Sequence, residues 1–273
     1  MRIAAVAATI NSKLAFTAWS GCGDAEKEIL TIFGRKKKMN TKLFSTIILL
    51  LTVLFVWPVQ IWAEDANSTA AKDVNAAGAV ELKSIQLPKP QTDGGKPLMQ
   101  ALKARKTSRE FSSEKLPMQI LSNMLWAACG VNREDGKRTA PTAMNKQEID
   151  VYVAMAEGLY LYDAKSNILV GVLAGDIRAA TGRQPFVKDA PVNLVFVADF
   201  AKMGNTPADQ KEFYSATDTG YVSQNVYLYC ASEGLATVVR GLVDRPGCQA
   251  AMKLRPDQKV ILAQTVGYPK NSD

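Results

Sequence analysis

Apolar positions recur along this chain with two periods, and the switches between them mark out its elements. Between Leu116 and Gly130, residues Ile120, Leu121, Met124, Leu125 and Ala128 fall three or four apart, which puts them on one helical face. Leu116-Pro117 opens that helix and Gly130 ends it. An amphipathic run from Pro97 to Lys106 predicts a helix just before it. Val151–Met155 and Leu159–Tyr162 read instead as strands, joined by a tight turn at Glu157-Gly158. Asn167–Leu173 predicts a third short strand, and Val192–Ala198 the most clearly buried one. Asp176–Thr181 predicts a short helix stopped by Gly182. Pro207 to Gly234 predicts a long helical stretch, with Val222, Val226, Leu228, Tyr229 and the following Leu235 as its apolar positions. A strand at Ala236–Val239, a short helix at Arg245–Leu254 and a last strand at Val260–Val266 lead into Gly267-Tyr268-Pro269. Helices and strands are intermixed without regular β-α-β alternation, so the fold class is α+β. No internal repeat is present.

Upstream of Lys96 the pattern is different. Asn40, Thr41 and Lys42 lead into an apolar run from Leu43 to Trp57; Pro58 breaks it, and Ile61-Trp62-Ala63 precedes Glu64. A basic flank, an apolar core and a small residue before an acidic stretch describe a secretory signal peptide over 39–63, with translation beginning at Met39 and residues 1–38 an over-long gene start. The run is near the lower limit for crossing a bilayer, so an uncleaved anchor is the alternative; either outcome places the rest outside the cytoplasm, periplasmic or secreted. Residues 64–95, rich in Ala, Asn, Asp and Lys, read as a flexible tether ahead of a folded domain over 96–273.

Charge adds one exclusion. The formal net charge is +7, but residues 1–63 carry eight basic and three acidic groups, leaving 25 basic and 23 acidic among the other 210 residues. The excess lies in the leader, and a broadly basic nucleic-acid-binding face is not supported. The chain has no histidine. That excludes a Ser-His-Asp triad, a Cys-His pair and any histidine-ligated zinc site. Its four cysteines, Cys22, Cys129, Cys230 and Cys248, form no C-x-x-C pair. Cleavage after Ala63 leaves an odd number, so at least one thiol stays unpaired within the chain. Cys129 and Cys230 lie in helical, apolar contexts and are expected in the core. Neither a G-x-G-x-x-G nor a P-loop motif occurs after residue 63.

Two stretches carry candidate chemistry. Arg105-Lys106-Thr107-Ser108-Arg109 puts three cations and two hydroxyls within five residues at a helix end. Such a cluster can direct several charge-assisted hydrogen bonds, about 1.5–3 kcal/mol each, at one anion; alone, it also describes a solvated basic helix end. Pro141-Thr142-Ala143-Met144-Asn145-Lys146-Gln147 supplies short neutral donors and acceptors behind a proline that fits a helix start. Those groups suit a polar heterocycle or polyol, and alone they also describe an ordinary capped helix.

Together the two stretches resemble the nitroreductase family of flavin enzymes. Arg105-Lys106-Thr107-Ser108-Arg109 is similar to the family's early Arg-Arg-Ser-x-Arg element. Residues 141–147 are similar to its Pro-Ser-x-x-Asn-x-Gln element, with threonine keeping the hydroxyl in both. The likeness continues through Leu125-Trp126-Ala127-Ala128 with Gly130-Val131, and through Glu157-Gly158-Leu159-Tyr160-Leu161-Tyr162-Asp163. It extends over Gly220, Gln224 and Asn225 with Glu233-Gly234-Leu235-Ala236-Thr237, and over Val266-Gly267-Tyr268-Pro269. It spans about residues 85–270 and leans toward the branch containing azoline-forming dehydrogenases.

The resemblance implies a mainly antiparallel sheet flanked by helices and an obligate homodimer, with the helix around Tyr221–Glu233 as its core. It implies flavin mononucleotide (FMN) as cofactor. Arg105, Lys106, Thr107 and Arg109 would hold the phosphate and the pyrimidine edge. Pro141, Thr142, Ala143, Met144, Asn145 and Gln147 would line the ring from the partner chain. Arg240 and Gly241 would complete the pocket, with Lys106 or Arg240 beside the reduced ring. The implied activity passes electrons to a small organic acceptor: a quinone, a nitroaromatic or an azoline-like ring. The family's usual donor, a nicotinamide nucleotide, is scarce outside the cytoplasm, so the donor stays open. A protein of the same fold that only binds a ligand or partner is the other reading.

Overall fold

The computed structural model describes residues 81–270. The expected gene-start extension, signal peptide and tether residues 64–80 lie outside the described residues. Seven strands form one sheet: β1 (Ile85–Gln86), β2 (Ile149–Met155), β3 (Gly158–Asp163), β4 (Ile168–Ala174), β5 (Val192–Asp199), β6 (Ala236–Arg240) and β7 (Gln258–Gly267). Their order is β1-β4-β3-β2-β5-β7-β6, and every adjacent pair is antiparallel. Among the described residues the four α-helices are α1 (Leu98–Ala104), α2 (Met118–Cys129), α3 (Ala208–Glu233) and α4 (Arg245–Ala251).

β5 lies inside the sheet between β2 and β7 and all eight of its residues are buried, which explains the apolar run Leu194–Ala198. Alternation along β5 divides the core. Val192, Leu194 and Phe196 pack with Leu121, Met124 and Leu125 of α2 and with Val222, Val226 and Cys230 of α3. Val195 and Val197 point to the other face, where Cys248 and Met252 from the α4 segment cover them. Cys129 and Cys230 are core residues, as their context implied.

Beyond shifts at element ends, three differences from the sequence-based expectation matter. The β2–β3 turn is Ala156-Glu157, and Gly158 is already strand. A Cβ there would lie 2.4 Å from the Leu173 carbonyl, so this glycine serves close packing. The short helix expected at 176–181 is a 3-10 segment, Arg178–Thr181. The ordered domain also starts before Lys96. β1 pairs with β4, Leu87 is buried, and the Leu82 carbonyl fills the space that a Cβ on Gly171 would need, at 1.9 Å. Residues 81–95 were read as tether because their composition is polar and proline-rich; a two-residue strand with one buried leucine leaves too short a pattern to detect.

Candidate functional site

α1 stops at Ala104, and the chain from Arg105 to Ser112 turns to run beside the end of the sheet. Ser108 N donates to the Thr237 carbonyl of the edge strand β6 at 2.9 Å. Farther on, Ser112 N donates to the Tyr268 carbonyl at 2.9 Å, and Phe111 bridges to Pro269. The basic segment therefore does not continue the helix into solvent. It is an extra layer fastened to β6.

Tyr227 of α3 organises this corner. Its hydroxyl lies 3.1 Å from Thr107 Oγ1 and accepts from Val239 N at 2.9 Å. Its ring lies beneath the Arg105 guanidinium, 5.3 Å from the centroid, a cation–π distance. One buried phenol thus joins the basic segment to the backbone just before Arg240-Gly241. Arg105 is half-buried, Lys106 and Arg109 are exposed, and none of the three joins an ion pair among the described residues. Lys106 and Ser108 also border a cavity of about 320 Å³ with Leu235, Thr237 and Pro269. Tyr227→Phe removes the acceptor from Val239 N–H; the expected loss is about 1–3 kcal/mol in urea unfolding, with no change in slope.

Arg240 departs from expectation. Its guanidinium is buried at 3% exposure and is spent inside the protein, on the sheet face that carries α4. It donates to the Thr181 carbonyl at 2.7 Å and to Asn193 Oδ1 at 3.0 Å. Loss of solvation pushes it down to about 10. Its backbone and the exposed Gly241 remain beside Val239, so the cation left at the corner from the expected pair is Lys106.

The second stretch is not a helix start. Residues Ala143–Asn145 form one 3-10 turn, and Met144, Asn145 and Gln147 all have positive φ, at 53°, 52° and 49°. Left-handed backbone costs roughly 1–3 kcal/mol per non-glycine residue and persists only where surroundings over-determine it. Asn tolerates it; Met and Gln need the ties seen here. Asp218 of α3 accepts from Ala143 N at 2.9 Å, Thr142 Oγ1 accepts from Gln147 N at 3.0 Å, and Gln147 Nε2 donates to the Gly136 carbonyl at 3.1 Å. The result presents Met144 and Asn145 outward. Both stretches thus hang on α3, at Tyr227 and Asp218. Nine residues separate those anchors, roughly 13 Å along the axis.

Tyr227 and Asp218 were not singled out in the sequence. Both sit on buried positions of a helix whose polar residues look solvated in one dimension, and only the tertiary contacts give them away. A further cavity of about 400 Å³ lies among Lys115, Met118, Met155, Glu157, Arg178 and Lys188. Two of its cations are already matched, Lys115 with Glu157 and Arg178 with Asp176, so it offers less to an anion.

Comparison with known proteins agrees with this architecture. The nitroreductase family profile matches residues 102–268. A Methanocaldococcus jannaschii protein named as a nitroreductase is 32% identical over 147 residues, half of this chain and 74% of that protein. A crystal structure described as a nitroreductase, from Ralstonia eutropha JMP134, shares 45% identity and superposes with a TM-score of 0.67, covering 70% of this chain and 91% of that one. A chain of the Escherichia coli microcin synthetase McbBCD complex shares the fold alone, with 14% identity, a TM-score of 0.55, and coverage of 89% of this chain and 86% of that one. The chain belongs to the nitroreductase family.

Proposed function

We propose that the protein is an exported, homodimeric, FMN-dependent oxidoreductase that delivers electrons to a small organic acceptor such as a quinone, a nitroaromatic or an azoline-like ring. The observation that carries the reading is the unpaired triad Arg105, Lys106 and Arg109, fastened by Ser108 and Thr107 to β6 and Tyr227. The donor set fits a ribityl phosphate: cations free of carboxylate partners among the described residues, a hydroxyl, and the backbone around Gly241. FMN bound there would supply a reversible two-electron store, and the protein would supply binding, orientation and charge. Arg105 and Arg109 would hold its phosphate, and Lys106 would place positive charge beside its ring.

The second copy supplies what one chain lacks. Within one protomer the Met144–Asn145 turn is anchored well along α3 from the basic corner, so a partner's turn completes the ring pocket. The outer surface of α3 supports this pairing: Phe213, Gly220, Tyr221 and Gln224 are exposed at helical spacing, and Leu98, Met99 and Leu102 of α1 are exposed as well. No histidine is needed, because the electrons reside on the cofactor.

Protein beginning near Glu64 is expected to purify yellow, to release FMN on denaturation, and to be bleached by dithionite and re-oxidised by a quinone. Colourless protein that also fails to bind added FMN removes the reading. Protein that binds FMN without cycling makes it a binding protein on this fold.

A further inference from the structure

The Thr142–Gln147 turn rests on two acids. Glu148, the residue before β2, is fully buried, and neither of its carboxylate oxygens has a hydrogen-bond partner among the described residues. Asp218 of α3 is 2% exposed, and it is the neighbouring acid that acts on Glu148. The Asp218 oxygen Oδ2 also accepts from Ala143 N at 2.9 Å, the tie that holds the strained turn to α3.

We propose that Glu148 and Asp218 form a proton-sharing carboxyl pair that positions the Thr142–Gln147 turn, which is seated only while the pair holds its proton. Two neighbouring carboxylates out of water cannot both ionise at modest cost. With the proton on Glu148, its hydroxyl donates to Asp218, and Asp218 keeps a full acceptor for Ala143 N–H. Removing the proton sets two buried negative charges against each other and drives the pair apart.

The surrounding charges do not neutralise Glu148. Lys202, from the turn after β5, attracts it weakly and is bound to Asp150 of β2 at 2.5 Å. Arg138 acts on Asp150. Asp199, whose backbone N–H donates to the Glu148 carbonyl, is itself held by Arg255 at 2.9 Å. Ser215 and Thr219, the other buried polar residues of this stretch of α3, are neutral. Burial, and then the nearby Asp218, raise Glu148 from 4.5 to about 7. The raised direction sets the sign: the pair's contribution is fully present below about pH 4.5 and is lost as pH rises through about 7. Glu148 and Asp218 are positioning residues. Their consequence for catalysis rests on the flavin reading; the seating of the turn does not.

The test therefore uses cofactor-free protein and backbone amide exchange at residues 143–147, corrected for intrinsic rates, between about pH 5.5 and about pH 8.5. The wild type is expected to lose protection there by about tenfold per unit above the transition, one decade per released proton. Glu148→Gln, which stays a neutral donor, is expected to keep the turn protected across the window. Protection that is flat with pH in the wild type, or that falls identically in Glu148→Gln, overturns the proposal. As a measurement independent of any variant, the infrared band of a protonated carboxyl should be present in the wild type at the low end of that window and vanish at the high end; its absence at the low end also overturns it. FMN binding can fail without altering these readouts, so the two readings stand or fall separately.

Discussion

Replacing Arg105 and Arg109 together with alanine is expected to weaken FMN binding by about 10²- to 10⁴-fold, enough for the cofactor proposed above to be lost during purification. On the proposed reading each guanidinium would donate charge-assisted hydrogen bonds to the phosphate, and each such bond is worth roughly 1.5–3 kcal/mol. The loss shows as a rise in Kd in a flavin-fluorescence titration. Folding should survive. Arg109 is exposed, and Arg105 contributes mainly its cation–π contact with Tyr227, worth about 1 kcal/mol. Lys115→Ala is the control, because that exposed lysine is paired with Glu157 away from the corner. Equal Kd values for the double variant and the control remove the assignment of the basic segment.

The second large effect falls on stability. Gly182→Ala is expected to destabilise the protein by about 3–5 kcal/mol, the cost of stranding a buried charge. The φ of Gly182 is extended, so alanine fits the backbone; the obstacle is Arg240. An added Cβ would lie 1.8 Å from its Nη1, which must leave Thr181. Arg240 joins no ion pair among the described residues, and burial is the main influence on it, so a displaced guanidinium has no carboxylate partner to fall back on there. The double variant Gly182→Ala/Arg240→Met discriminates. Removing the cation should recover part of the loss in denaturant unfolding, whereas strictly additive changes would sink the explanation.

Much of this architecture was legible in one dimension where periodicity is strong. α2 shows a clean three-four spacing, and β5 is apolar from Leu194 to Ala198 because both its faces are covered. β1 was missed because two residues carry no period. The turn at 143–145 was read as a helix start because Pro141 is compatible with one, yet tertiary ties to Asp218 and Gly136 overrode local preference. The basic segment was legible as residue types at a spacing. Its partner Tyr227 was not, since a tyrosine at a buried helical position reads as core until its hydroxyl is seen between Thr107 and Val239. Arg240 errs the other way. A cation after a strand invites a ligand, and nothing in the letters discloses that Asn193 and Thr181 already occupy it.

Burial of the three cysteines of the domain makes them a built-in clock. Cys129 and Cys248 are pushed up to about 11 and Cys230 to about 12, in each case chiefly by loss of solvation, and none is disulfide-bonded. Near neutral pH the native domain therefore presents almost no thiolate to an alkylating reagent. Modification waits for the core to open, so at saturating reagent its rate counts unfolding events one molecule at a time, without a dye, a denaturant or an engineered label.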